Sequence, residues 1–207
     1  MSMKTISEME LKFFLTTEQD LVHLGTIILD YIEENQWFVL SDENVVKEII
    51  YYDTPDYRFA KEGSTLRRVK DPKRFNTSKR YRYDFKRGEG DSRIERTSWQ
   101  SRALDVRQLR EIFYIQESIK ESGRALKKSR KITFSPVNID DYGKEGSFQV
   151  ETSIDEIINI DSITVLKELE FELKKGDPGI LECLHADFTD MGYKSHTTQK
   201  YTQLISF

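Results

Sequence analysis

Two stretches near the ends of the chain alternate carboxylates with large apolar residues. The first reads Glu8-Met9-Glu10-Leu11-Lys12-Phe13-Phe14-Leu15, the second Glu168-Leu169-Glu170-Phe171-Glu172-Leu173-Lys174. Successive side chains of a strand point to opposite faces, so each stretch predicts a strand with one charged and one apolar face. Residues 80–87 alternate in the same way. Arg80, Arg82, Asp84 and Lys86 share one face; Tyr81, Tyr83 and Phe85 share the other. The turn Gly88-Glu89-Gly90-Asp91 predicts a hairpin into a strand over 92–99.

The remaining pattern fills in the chain. Leu21, Leu24, Ile28, Tyr31 and Ile32 follow helical spacing, in a helix predicted from Thr17 to about Asn35. Residues 45–53 are β-branched and aromatic, hence strand. Asp53-Thr54-Pro55-Asp56 is a turn signal with Asp53 as a cap. A short strand runs from Thr65 to Lys70. A second helix is predicted from about Asp105 to Ser122, ended by Gly123. Strands follow at 125–134, 148–154 and 165–175, then a helix at about 179–191 and a tail strand at 197–205. Many strands with a few helices between them predict an α+β fold built on an antiparallel β-barrel, as one domain over 1–207.

Composition narrows the chemistry. The chain has 207 residues, 37% hydrophobic and 33% charged, with a formal net charge of −4. That balance argues against a nucleic-acid partner, whose binders are usually basic. One cysteine, Cys183, excludes an intrachain disulfide and a four-cysteine zinc site. The histidines are only His23, His185 and His196, so a metal would be held by oxygen, as Mg²⁺, Mn²⁺ or Ca²⁺ are. No apolar run reaches transmembrane length, and the chain reads as a cytoplasmic protein without a membrane partner.

If the acidic strands are neighbours, Glu8, Glu10, Glu168, Glu170 and Glu172 lie close together. Like charges at short range destabilise a fold unless a cation neutralises them. The alternative is a pair of solvated faces, with Lys12 and Lys174 in cross-strand ion pairs. Arg67, Arg80, Arg82, Lys86, Arg93, Lys128, Arg130 and Lys200 fall on several predicted strands. Arginine forks and lysine ammonium groups bind phosphate oxygens. A basic set facing a carboxylate-held metal would cradle a polyphosphate.

These residues resemble the CYTH family, also called triphosphate tunnel metalloenzymes. The resemblance rests on Glu8, Glu10 and Lys12 in a Glu-x-Glu-x-Lys strand, then Tyr51-Tyr52-Asp53-Thr54-Pro55-Asp56, Gly63 and Leu66-Arg67. It continues through Lys86 before Gly88, Arg93-Ile94-Glu95, Lys128-Ser129-Arg130, Asp155, Glu168 with Glu170, and Lys200. The order holds across nearly the whole chain. Val69 and Thr97 depart from the family pattern.

The resemblance implies an eight-stranded antiparallel β-barrel tunnel, open at both ends, with flanking helices. It implies Mg²⁺ or Mn²⁺ on Glu8, Glu10, Asp155, Glu168, Glu170 and Glu172. Arg67, Lys86, Arg93, Lys128, Arg130 and Lys200 would bind phosphate, with Lys12, Glu170 and Arg130 at the reacting centre. On 125–134 the phase stays open: Lys128 and Arg130 share parity with Leu126, Ile132 and Phe134, so Lys127 and Lys131 are the alternative lining.

The leading expectation is a metal-dependent triphosphatase acting on inorganic tripolyphosphate. The alternatives are a class IV-type adenylate cyclase, a thiamine triphosphatase, and a non-catalytic polyphosphate- or nucleotide-binding protein. The partner is a small triphosphate, and the chain is compatible with a monomer or a homodimer. His196 reads as a surface histidine, Cys183 as a small buried hydrophobe, Trp37 and Trp99 as packing residues, and Tyr193 as a dock for the last helix.

Overall fold

The two acidic rows become adjacent strands. β2 (Met9–Leu15) runs antiparallel to β9 (Val165–Gly176), with Glu10 opposite Glu172 and Lys12 opposite Glu170. The computed structural model describes residues 4–5, 9–16, 21–70, 79–87, 94–136, 147–197 and 200–204. The other strands are β1 (Lys4–Thr5), β3 (Phe38–Asp53), β4 (Thr65–Lys70), β5 (Tyr81–Arg87), β6 (Ile94–Gln100), β7 (Lys120–Ser135), β8 (Phe148–Asn159) and β10 (Lys194–Ser195). All belong to one antiparallel sheet, ordered β1-β6-β5-β4-β3-β7-β8-β9-β2-β10. The helices are α1 (Leu21–Glu34), α2 (Arg58–Lys61), α3 (Val106–Phe113), α4 (Gly179–Asp190) and α5 (Lys200–Leu204).

The sheet is curled, not closed. Lys86 and Glu95, on β5 and β6, line the same cavity as Glu170 and Glu172 on β9, far along the strand order. Only a strongly bent sheet brings those strands face to face. No pairing joins β1 to β10 among the described residues. The expected eight-stranded antiparallel tunnel with flanking helices takes the form of a curled sheet, which among the described residues has ten strands, two of them only two residues long.

Alternation sets which side chains face outward. Phe13, Ile132, Phe134, Val150, Ile154, Leu169 and Phe171 leave the concave face and pack against α1 and α4. Leu24, Ile28, Tyr31 and Ile32 of α1 meet them at the predicted spacing, each apolar burial contributing about 1.5–3 kcal/mol. Tyr193 packs 5.6 Å from Phe188 of α4, and Trp37 stacks 5.4 Å from Phe134. A second outer layer joins Phe59 of α2, Leu109 and Phe113 of α3, and Leu66, Tyr83 and Phe85 of the sheet.

The structure departs from the pattern-based reading at several points. The helix predicted over 105–122 ends at Phe113, where Tyr114 turns left-handed at φ 56°, and β7 has begun by Lys120. Asp105 still starts it, in a capping box with Gln108. Residues 120–122 have a sheet partner, Glu121 pairing with Tyr52, and that ladder overrides local helical periodicity. The tail strand predicted over 197–205 is helical at Lys200–Leu204. Residues i and i+4 share a helix face, so Lys200 and Leu204 both enter the rolled sheet. Cys183, read as buried, is exposed on α4.

Asp53 caps α2, accepting from the backbone N–H groups of Thr54, Phe59 and Ala60. Among the described residues no helix is long and apolar enough to cross a membrane.

Candidate active site

The concave face divides into an apolar end and a charged end. At the apolar end Leu204 packs with Ile49, Tyr51, Val69, Ala125 and Ile157. The α5 carbonyl of Leu204 accepts from the Asn159 amide at 2.9 Å, which ties the helix down. The tunnel expected to open at both ends is filled at this one.

At the charged end lies a cavity of about 160 Å³ lined by Lys47, Arg67, Arg82, Lys86, Glu95, Lys127, Lys131, Glu151, Glu170, Glu172 and Lys174. These side chains come from seven neighbouring strands, β3 to β9, and point inward because they share parity across the ladders. Ser129 faces Asp155 and Asp155 faces Glu168. Ser153 faces Glu170, and Glu170 faces Lys12.

Between the two ends sit Asp155, Glu168 and Glu170, whose carboxylate oxygens come within 4.8 Å of one another. Lys200 Nζ lies among them, 2.6 Å from Asp155 Oδ2, 2.8 Å from Glu168 Oε1 and 2.6 Å from Glu170 Oε2. Asp155 also accepts from Ser129 Oγ at 2.7 Å and pairs with Lys127 at 2.6 Å. The His196 side chain is buried, stacks on Phe14 at 3.7 Å, and holds Nε2 3.2 Å from Glu168 Oε2.

Burial and charge compete at this cluster, and charge prevails for the acids. Burial pushes the Asp155 pKa up, but Lys127 and Lys200 bring it down to about 2. Burial likewise opposes ionisation of Glu170, and Lys200, Lys12 and Lys127 hold it well below the usual range. For Lys200, burial favours the neutral amine, while Asp155, Glu168 and Glu170 hold it charged, well above the ordinary value. Lys127 is the exception. Burial outweighs Asp155 there and lowers its pKa to about 8.

The trio fits an oxygen-binding divalent cation. Its donors are hard carboxylates, and both Glu168 oxygens are buried without a well-directed hydrogen bond, although Lys200 Nζ and His196 Nε2 lie 2.8 and 3.2 Å away. Glu10 and Glu172, expected as ligands, are engaged instead by Lys12 at 2.5 Å and Lys174 at 2.5 Å. Glu8 and Arg93 lie outside the described residues.

Opposite the acids stands the basic side. Arg67 and Arg82 share buried Asp84, each at 3.0 Å. Lys86 pairs with Glu95 at 2.9 Å, and Lys131 with Glu151. Two of the expected phosphate ligands are not here. Lys128 and Arg130 lie on the convex face, paired with Glu156 at 3.0 Å and with Asp42 at 2.7 Å. Their parity with Ile132 and Phe134, which pack under α1, turns them outward. Lys127 and Lys131 take the inward positions. His196, read as a surface residue, was missed at Glu168; no spacing in the sequence links the two.

Neither a family model nor a curated protein matches the sequence. Solved structures do match. A candidate adenylate cyclase from Bacillus halodurans superposes with a TM-score of 0.61 at 13% identity, over 98% of this chain and 99% of that one. A protein from Pyrococcus horikoshii OT3 gives 0.55 at 21% identity, over 95% and 97%. The chain has the triphosphate-tunnel fold. A candidate adenylyl cyclase from Hippeastrum, with a dominant triphosphatase activity, gives 0.50 at 13% identity, over 95% and 94%. At such identities the triphosphate-tunnel likeness is one of fold, the fold that the resemblance to the CYTH family implies.

Proposed function

We propose that the protein is a divalent-metal-dependent triphosphatase acting on inorganic tripolyphosphate. The observation that carries this reading is the meeting of two charge signs in one cavity. Glu151, Glu170 and Glu172 line it together with Arg67, Arg82, Lys86, Lys127 and Lys131, and Glu170 joins Asp155 and Glu168 in a trio whose carboxylate oxygens lie within 4.8 Å of one another. Metal-assisted hydrolysis of a polyphosphate uses that combination: carboxylates hold the cation that neutralises some of the phosphate oxygens, and basic side chains neutralise others.

Asp155, Glu168 and Glu170 would hold Mg²⁺ or Mn²⁺, with Glu10 and Glu172 close by. The metal supplies Lewis acidity and lowers the pKa of bound water. Lys12, opposite Glu170, keeps that carboxylate ionised and oriented. Arg67 and Arg82 present their forks from Asp84, whose carboxylate fixes them before substrate arrives. With Lys86 and Lys127 they bind phosphate oxygens and stabilise the charge that builds on the leaving diphosphate as water attacks the terminal phosphorus. The bond from that phosphorus to its bridging oxygen breaks, and orthophosphate and diphosphate leave.

The size of the charged cavity, about 160 Å³, favours an inorganic substrate over a nucleotide. It falls below the roughly 300–1,000 Å³ of drug-sized ligand pockets. Ile49 and Val69 are its only apolar lining residues among those described, and neither offers a stacking face for a base. The triphosphatase activity of the Hippeastrum protein is in keeping with this reading.

The test is product analysis with tripolyphosphate, ATP and thiamine triphosphate, each with Mg²⁺ or Mn²⁺. Orthophosphate release fastest from tripolyphosphate, and abolished by chelation, is the expected result. Cyclic AMP as the main product from ATP moves the assignment to a cyclase. Saturable binding without turnover leaves only a binding protein.

A further inference from the structure

A second cavity, of about 310 Å³, opens on the convex face of the sheet beneath α2 and α3. Three aromatic rings wall it. Phe59 and Phe85 have centroids 5.5 Å apart, and Phe85 and Phe113 are 6.0 Å apart. Tyr114 stands at its rim, 72% exposed and held at φ 56°, a backbone region that aromatic residues seldom occupy.

Ser64 lines the same cavity. It is 1% exposed, and its hydroxyl has no hydrogen-bond partner. A buried polar group left without a partner is destabilising, and it is expected to be matched by a ligand or water.

The charges at the rim are unbalanced. Arg58 reaches Glu62 at 2.7 Å and Glu117 at 3.2 Å, so one guanidinium is shared between the two acids. Arg87 and Arg96 also line the cavity, and neither has an ion pair among the described residues. Among the described residues, three guanidinium groups thus stand against two carboxylates.

This cavity is separate from the charged tunnel. Phe85 and Arg96 face each other across the β5–β6 ladder, while their neighbours Lys86 and Glu95 form the next pair on the opposite face. The two cavities share no lining residue.

We propose that the convex-face cavity is a second ligand site, which takes a small planar aromatic ring bearing one anionic group. The rings of Phe59, Phe85 and Phe113 receive the ring, and the Ser64 hydroxyl supplies one hydrogen bond that orients it. Arg87 and Arg96 bind the carboxylate or phosphate, through the planar forks that match such groups. The volume, at the lower limit of small-ligand pockets, admits one ring system and excludes a large cofactor.

The experiment is calorimetric titration of the whole chain, saturated with tripolyphosphate to fill the tunnel. The probes are 4-hydroxybenzoate and AMP, with phenol and adenosine as their uncharged counterparts. At least one anionic probe should bind saturably with Kd below about 1 mM, and its uncharged counterpart roughly tenfold or more weakly. Binding of one anionic probe alone tells a carboxylate source from a phosphate source. Arg96→Ala should raise Kd by about tenfold. Arg87→Ala, at an exposed position that the fold does not need, should weaken binding as well. Saturation by neither anion overturns the proposal. So does binding that tripolyphosphate abolishes, or a Kd unchanged in both arginine variants.

Discussion

Ser129 faces Asp155 across the β7–β8 ladder, and its hydroxyl donates to the carboxylate at 2.7 Å. The pair fixes the phase of β7. Once Ser129 points inward, Lys127 and Lys131 must do the same, and Lys128 and Arg130 must point out. Ser129 is 6% exposed, so this is a buried contact rather than a surface one.

Lys127→Ala should therefore lower kcat/KM for tripolyphosphate by roughly 10- to 150-fold, the loss of one charge-assisted hydrogen bond. Lys128→Ala and Arg130→Ala should stay within about twofold, because partly exposed ion pairs contribute little. Steady-state phosphate release from the three variants measures this. Equal losses at positions 127 and 128 would mean that β7 does not hold this phase in solution.

The parity of β7 was already visible in the sequence. Lys128 and Arg130 alternate in step with Ile132 and Phe134, and an apolar residue on a strand with one covered face normally marks the packed side. The family pattern pointed the other way, to Lys128 and Arg130. Packing of Ile132 and Phe134 under α1 decided between them. The acidic rows were legible for the same reason: strict alternation beside large apolar residues has one outcome in a half-buried strand. What the sequence did not carry was long-range closure. His196 meets Glu168 only because β10 pairs with β2. Lys200 enters the acidic trio only because the tail is a helix whose Leu204 has an apolar pocket to fill.

Asp84 gives a prediction for acid stability. Burial raises its pKa, but Arg82, Arg67 and Lys86 together set it below the ordinary 3.8. On acidification the unfolded chain therefore takes up this proton first. The carboxylate's stabilisation is complete above the unfolded value near 3.8 and is lost as pH falls from there through the lower folded value. Asp84→Asn should cost about 3 kcal/mol at neutral pH, since it leaves Arg67 partly buried beside an uncharged partner. Denaturant unfolding of both proteins at several pH values tests this. The gap should narrow only below about pH 4; a gap independent of pH there contradicts the charge account.

Glu170→Gln separates repulsion from pairing. Read from the sequence, a row of glutamates suggests that losing one charge relieves the others. The geometry reverses that sign. Glu170 is held ionised by Lys200, Lys12 and Lys127, so the charged form is the one the fold favours. The variant should be less stable without metal, by about 1–3 kcal/mol, and should bind Mg²⁺ or Mn²⁺ roughly tenfold or more weakly. Its kcat should fall sharply. Metal titration and thermal unfolding of the metal-free protein check the two halves independently. Wild-type metal affinity and turnover in the variant would leave the acidic row a purely structural feature.

Lys200 and a divalent cation make competing claims on the same three carboxylates. In the fold as it stands, the Lys200 side chain is 11% exposed and its ammonium group meets Asp155, Glu168 and Glu170 at 2.6–2.8 Å. Removing one member of a buried charge cluster commonly costs about 3–5 kcal/mol. Lys200→Ala should lose that order of stability without metal, because three acids within 4.8 Å then repel without the ammonium group that touches all three. Added Mg²⁺ should return much of it. In the native chain the ion must displace an ammonium group to reach the same oxygens, so its stabilisation should be smaller. The measurement is Tm against Mg²⁺ concentration for both proteins, with Lys128→Ala as a control whose curve should follow the native one. A steeper rise in Tm for Lys200→Ala places the cation on the trio. Parallel curves for all three proteins would mean that Mg²⁺ binds elsewhere and that Asp155, Glu168 and Glu170 serve only to anchor α5.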